Sequence, residues 1–263
     1  MKDGASPYTI FGVDFADNPE QKELIRLIRE DPSRRPLVYC DGDAGTGKTF
    51  TALAACLSLI RAHGDKKRRY KNLYYLREPV EVGHHLGYLK GTEDDKFAPY
   101  LGPLLDNYNH LMAFARAAGI IPPRLRRYEK NKDDNAPQAG SIVYSHLPSD
   151  IIPIPPEYIR GRSFEDCLLI VDEAQNMSLA ELQTAVTRIG ENSKMIILGS
   201  GNQIDIEKGT AEENDFLLSY AILKPTKLVG YVHLVTPMRS SFVAAFDERF
   251  VEYRKLHPKR NGK

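Results

Sequence analysis

The sequence predicts an α/β protein, a mostly parallel sheet with helices on both faces. Three observations predict it. Short runs rich in β-branched and apolar residues alternate with longer stretches of helical spacing. Two of those stretches open with strong helix-start signals. A glycine-rich segment, Gly42 to Thr49, also stands between a strand-like run and a helix-like one.

Taken in order, Asn18-Pro19 caps and opens a helix running to Arg29, with Leu24, Ile25, Leu27 and Ile28 as its apolar side. Strands are expected at Leu37–Asp41, Leu73–Leu76, Ser141–Ser145, Leu168–Asp172, Met195–Gly199 and Val232–Val235. A helix follows Lys48 and runs to about His63, where Gly64 ends it. Ser178-Leu179-Ala180-Glu181 is a capping box, with Leu182, Val186 and Ile189 at helical spacing and Gly190 as the stop signal. Two stretches fall outside the sheet. Residues 122–140 are polar and charged and predict a mobile basic loop. Leu147 to Pro156 holds four prolines and is incompatible with regular helix. No repeat or clean linker divides the chain.

Composition sets the outer limits. With 263 residues, 36 Lys+Arg against 35 Asp+Glu, 42% hydrophobic and 27% charged residues, the chain has neither polybasic nor polyacidic character and length enough for a proper core. The longest apolar stretch, Ala52 to Ile60 interrupted by Ser58, is far short of the ~18 residues of a membrane span. The start, Met1-Lys2-Asp3-Gly4, lacks the apolar core of a secretion signal. Cys40, Cys56 and Cys167 lie in apolar runs with no metal-ligand spacing. A soluble, cytoplasmic protein with no membrane partner is therefore expected.

Gly42-Asp43-Ala44-Gly45-Thr46-Gly47-Lys48-Thr49 fits G-x-x-x-x-G-K-[ST] in full, after a strand (LVYCD) and before a helix. The glycines let backbone N–H groups turn inward around phosphate oxygens, and the helix N-terminus adds a favourable dipole. Lys48 is placed to neutralise β- and γ-phosphates, and Thr49 to offer its hydroxyl to Mg²⁺. The apolar run Cys167 to Val171 ends in Asp172-Glu173. Asp172 suits the magnesium-holding acid, and Glu173 the base that orients a water for attack on the γ-phosphate. Hydrolysis of a nucleoside triphosphate is the reaction implied. Asn202-Gln203-Ile204-Asp205 lacks the lysine of a guanine-reading N-K-x-D motif, and Asp172-Glu173-Ala174-Gln175 lacks the glycine of a switch GTPase.

Asp172-Glu173-Ala174-Gln175 resembles the D-E-A-Q box of superfamily-one helicases, and the wider likeness is to the PhoH family of phosphate-starvation-inducible ATPases. It is carried by GDAGTGKT (42–49), REPVEVGHHLGYLKG (77–91), PYLGPLLD (99–106), YIRGRSFEDCLLIVDEAQN (158–176), TRIGENSKMIILGSGNQIDI (187–206) and a tail containing Arg239. The resemblance implies one RecA-like P-loop NTPase domain over 15–253, with an extension at 1–14 and a basic tail at 254–263. Its expected ligands are ATP and Mg²⁺. There are departures: Asp43 stands where proline is common, Ser200 where the family's G-D-x-x-Q has its acid, and His84 where glutamate is usual.

The resemblance also places Gln21 as the adenine-reading glutamine and Gln203 as the γ-phosphate contact. Arg160, Arg162, Arg188 and Arg239 are the candidate arginine fingers, with Arg188 better suited to a fold-stabilising pair. A chain of this length has no room for a second RecA-like domain, so the finger is expected from a neighbouring subunit, and the resemblance implies a hexameric homo-oligomer. Basic clusters at 61–71, at Arg124–Lys132 around Tyr128, and at Lys259–Lys263 suit single-stranded RNA or DNA through phosphate contacts and stacking. His84-His85 reads as a turn rather than a metal site. No nuclease is expected. A non-catalytic ATP-binding module regulating a partner is the alternative, and Ser200 is its best support.

Overall fold

The computed structural model describes residues 6–60, 69–78, 101–120, 147–201 and 214–238, with Phe246, Arg249, Glu252 and Leu256. In chain order the elements are β1 (Thr9–Ile10), β2 (Val13–Asp14), α1 (Pro19–Arg29), β3 (Leu37–Gly42), α2 (Lys48–Ile60), β4 (Asn72–Arg77), α3 (Gly102–Ala117), β5 (Ile151–Ile154), β6 (Cys167–Asp172), α4 (Leu179–Val186), β7 (Lys194–Gly199), α5 (Asp215–Leu223) and β8 (Val229–Leu234). β1 and β2 form a small antiparallel hairpin. The other six strands make one sheet in the order β5–β4–β6–β7–β3–β8, with every pairing parallel. None of the helices among the described residues is long and apolar enough to cross a membrane.

The central strands are buried on both faces, so their sequences are continuously apolar. Alternate side chains still divide cleanly between two cores. Val38, Cys40, Leu168, Ile170, Ile196 and Leu198 face a core completed by α1, α2 and α3, which Ile10 and Phe11 of the hairpin also enter. Leu37, Tyr39, Leu169, Val171, Met195 and Ile197 face a second core under α4 and α5. Helix α2 has apolar residues all round because it packs against the sheet and against both α1 and α3; Ala52 to Leu57 and Ile60 are all buried. The three cysteines are free and buried, and burial pushes the Cys167 thiol up to about 11, which leaves it unreactive.

The helix starts follow their signals. Asn18 Oδ1 accepts from the backbone N–H groups of Glu20 (3.1 Å) and Gln21 (3.0 Å), and Ser178 and Glu181 form the full capping box. Helix α4 nevertheless ends at Val186, with Thr187 as its cap, before Ile189 and Gly190. The last strand begins at Val229 rather than Val232 and stops at Leu234.

The clearest correction concerns Leu147 to Pro156. Ile151–Ile154 is the edge strand β5, with Pro153 opposite Tyr75 of β4. An edge strand tolerates proline because its outward N–H has no ladder partner to lose. The expected strand at 141–145, the loop at 122–140 and the histidine pair at 84–85 lie outside the described residues.

Lys194 opens β7 fully buried, and its Nζ donates to the carbonyls of Leu27 (2.7 Å) and Glu30 (2.8 Å) at the end of α1. Arg69 donates to the Arg29 carbonyl nearby, so two cations face the negative end of one helix. Burial pulls the Lys194 ammonium down to about 8. The unfolded chain then holds a proton that the folded chain has released between about pH 8 and the ordinary lysine value. Lys194 therefore adds stability as pH rises through that window, and its penalty is fully present below it. Thermal melts from pH 7 to 10 are expected to show a rise in the wild type that Lys194→Met lacks.

Candidate functional site

The parallel sheet sends the ends of β3, β4, β6 and β7 to one edge, where open α/β sheets form their ligand crevices. Four segments meet there: the Gly42–Thr49 loop, Arg77, the Asp172-Glu173 turn and the exit of β7.

The loop is shaped as a cradle. Gly42, Gly45 and Gly47 all have positive φ, at 155°, 82° and 83°. A Cβ on Gly47 would lie 2.8 Å from Gln21 Nε2, so only glycine lets the backbone approach there. Lys48 curls over the loop and donates to the carbonyls of Gly42 (2.6 Å) and Asp43 (3.0 Å). Its ammonium is thus held at the mouth of the cradle by weak acceptors that an anion can replace.

Thr49 and Asp172 come together from different elements. Thr49 Oγ1 lies 3.1 and 3.2 Å from the two carboxylate oxygens of Asp172. A hydroxyl facing a carboxylate is an oxygen-only donor set and fits a hard cation such as Mg²⁺. Asp172 is 2% exposed and also accepts from the Tyr75 hydroxyl (2.6 Å) and from Arg77 (3.2 Å). Burial pushes its carboxyl above the usual range, opposed by the adjacent guanidinium.

Glu173 has a left-handed backbone, φ 56° and ψ 38°, a conformation that costs a non-glycine residue about 1–3 kcal/mol. Its carboxylate is gripped from both sides, by Arg77 (3.3 Å) and by the Gln175 amide (2.6 Å). Gln175 then accepts from the backbone N–H of Ser200 with its other atom (3.1 Å). The D-E-A-Q glutamine is therefore a bridge from Glu173 to the exit of β7.

Gln21 is buried, with its amide donating to the Thr46 carbonyl at 3.3 Å, so it braces the P-loop from α1. Ser200, in the place of the family acid, lies 3.5 Å from the Asp43 carboxylate, in the place of the family proline. Arg160 and Arg162 are exposed beyond the end of β5. Arg160 lines a cleft of about 280 Å³ with Glu78, Pro156, Ile159, Met177, Glu181 and Thr184. Among the described residues, no hydrogen bond or ion pair joins Arg160 or Arg162 to the P-loop or the acid pair. Gln203 and Arg239 lie outside the described residues. Within the first basic cluster, Arg69 caps α1 and Lys71 pairs with Asp166 at 2.7 Å, so both are engaged in the fold.

Sequence reasoning missed Arg77, Tyr75 and Met238. Tyr75 was visible only as part of a strand and Arg77 only as the first residue of a segment shared with the family, because no motif spacing announces that β4 runs beside β6. Met238 donates its N–H to the Gly45 carbonyl (2.8 Å), and its exposed side chain lies beside Gly47. Arg77 bears most on stability. Removing it leaves the buried Asp172 without its cation, which costs roughly 3–5 kcal/mol for a buried pair. Arg77→Ala is expected to lower the urea midpoint accordingly, and an unchanged midpoint would show that Asp172 does not depend on that cation.

Comparison with known proteins decides the family. The sequence profile described as PhoH-like protein matches residues 15–246. This chain belongs to the PhoH family. Protein PhoH2 of Bacillus subtilis (strain 168) is 37% identical over 231 residues, covering 88% of this chain and 46% of that protein. A PhoH-like protein of the same organism is 34% identical over 235 residues, covering 87% of this chain and 62% of that one. The PhoH chain described here thus spans roughly half the length of these relatives. Among solved structures, the large terminase of a thermophilic bacteriophage superposes with a TM-score of 0.51 at 12% identity, over 88% of this chain and 49% of that one. That likeness supports the same α/β P-loop architecture for this PhoH domain.

Proposed function

We propose that this PhoH-family chain binds ATP with Mg²⁺ and hydrolyses it, as an oligomer engaged with single-stranded RNA or DNA. The observation that carries the reading is the convergence of Lys48, the Thr49–Asp172 pair and the positioned Glu173 at one sheet edge. The loop amides and Lys48 bind the phosphates, and Gln21 and Met238 flank the base side. Thr49 and Asp172 hold Mg²⁺, which supplies charge neutralisation at the β- and γ-phosphates when bound. Glu173 takes a proton from the attacking water, and Gln203 contacts the γ-phosphate. Arg239, Arg160 or Arg162 acts across a subunit boundary. Arg77 is a cation already within the same chain, held between the two acids.

The nucleic-acid part rests on the basic clusters at Arg124–Lys132 and Lys259–Lys263 and on the family. The test is ATP hydrolysis by purified protein, with and without single-stranded RNA and DNA, over a series of protein concentrations. Turnover that rises more than linearly with protein and increases with nucleic acid is expected. ATP binding without turnover would select the regulatory-module reading instead.

A further inference from the structure

The exit of β7 is held at every backbone polar group the structure describes there. Ser200 N–H donates to Gln175, and the Ser200 and Gly201 carbonyls accept from the Asn214 amide at 3.1 and 3.3 Å. The remaining group, the Gly201 N–H, donates to Asp41 Oδ1 at 2.8 Å. Asp41 belongs to β3, one residue before the P-loop, and is 6% exposed. Its other oxygen accepts from the Tyr231 hydroxyl (3.0 Å) and meets His233 Nδ1 (2.8 Å), both on β8. One buried carboxylate thus ties the ends of three adjacent strands together.

Register explains why it can. Asp41 is opposite Gly199 on one side and His233 on the other, and Tyr231 shares the His233 face two residues earlier. Tyr231 is fixed by stacking on Tyr220, with ring centroids 4.5 Å apart. Burial, and then the Asp41 charge, push its phenol up, so it stays a donor. A Cβ at Gly201 would lie in ordinary contact with both Asp41 oxygens, at 3.5 Å, and would press on the Leu217 side chain at 2.8 Å, so it is the packing of Leu217 that favours glycine there.

We infer that Asp41 is a positioning residue: through Gly201 it sets the exit of β7, which precedes Gln203 in the sequence, against the P-loop strand, and through Tyr231 and His233 it links that exit to β8. This rests on the proposed role of Gln203 at the γ-phosphate. No motif marks Asp41, because its work is done by its side chain across strands rather than by the loop it precedes.

The substitution Asp41→Asn keeps the size and an acceptor but removes the charge. His233→Leu removes one donor, whereas His233→Asn restores an amide N–H near the Nδ1 position. Two readouts separate the ideas. Hydrogen exchange of the peptide spanning 199–203 is expected to rise about tenfold in Asp41→Asn and His233→Leu, with β6 still protected, and to return towards wild type in His233→Asn. Steady-state kinetics are expected to show kcat down about tenfold with KM for ATP unchanged in the same two variants, and recovery in His233→Asn. Unchanged exchange at 199–203 would overturn the positioning role, whether or not the wild type hydrolyses ATP. Raised exchange with unchanged kcat would overturn the link to turnover. Equal changes in kcat and KM would reassign Asp41 to binding by the P-loop as a whole. If Asp41→Asn fails to fold, the two His233 variants decide by the same criteria. A wild type that binds ATP without turnover would instead refute the hydrolysis reading, leaving exchange to judge Asp41.

Discussion

Glu173→Gln is expected to lower ATP turnover by about 10²–10⁴-fold, the usual contribution of a positioned general base, while ATP still binds. The amide keeps the size of the side chain and its reach, but it cannot take a proton from water. Arg77 and Gln175 aim the carboxylate, and the left-handed backbone at Glu173 fixes its direction from the end of β6. Glutamine in that place loses the ion pair with Arg77, so Arg77 turns wholly to Asp172 and the fold is retained. Calorimetric titration with ATP beside a phosphate-release assay distinguishes the two effects. Undiminished hydrolysis would remove Glu173 from the role of base.

Lys48→Ala is expected to act at the earlier step. A hydrogen bond to a charged group contributes about 1.5–3 kcal/mol, so losing contacts to two phosphates weakens ATP binding by roughly 10²–10⁴-fold. Among the described residues Lys48 bonds the Gly42 and Asp43 carbonyls of its own loop, and Gly42 is additionally held by β8 across the sheet. The variant should therefore melt near the wild-type temperature. ATP affinity that stays within about tenfold would mean that the loop amides dominate binding.

The phosphate cradle was readable because its chemistry is contiguous: eight successive residues carry the turn, the charge and the hydroxyl. The Asp172-Glu173 pair was readable because an apolar strand ends on it. What could not be read is whatever depends on which strand lies beside which. Arg77 meets Asp172 because β4 pairs with β6, and Asp41 meets His233 because β3 pairs with β8. Pro153 misled in the other direction, since a proline argues against a strand only where both edges are bonded. The end of α4 slipped for a local reason: the Thr187 cap closes the helix before the glycine that advertises its end.

The pairing of β3 has one more consequence. The strand that delivers the P-loop is completed on one side by β7, which starts at Lys194, and on the other by β8, which ends at Leu234. During synthesis everything from β3 to β7 must be made before the strand that carries the P-loop acquires either neighbour. Contacts of such long sequence separation form slowly. The cradle proposed to hold a nucleotide is therefore completed late in folding, although its own residues stand next to one another in the sequence.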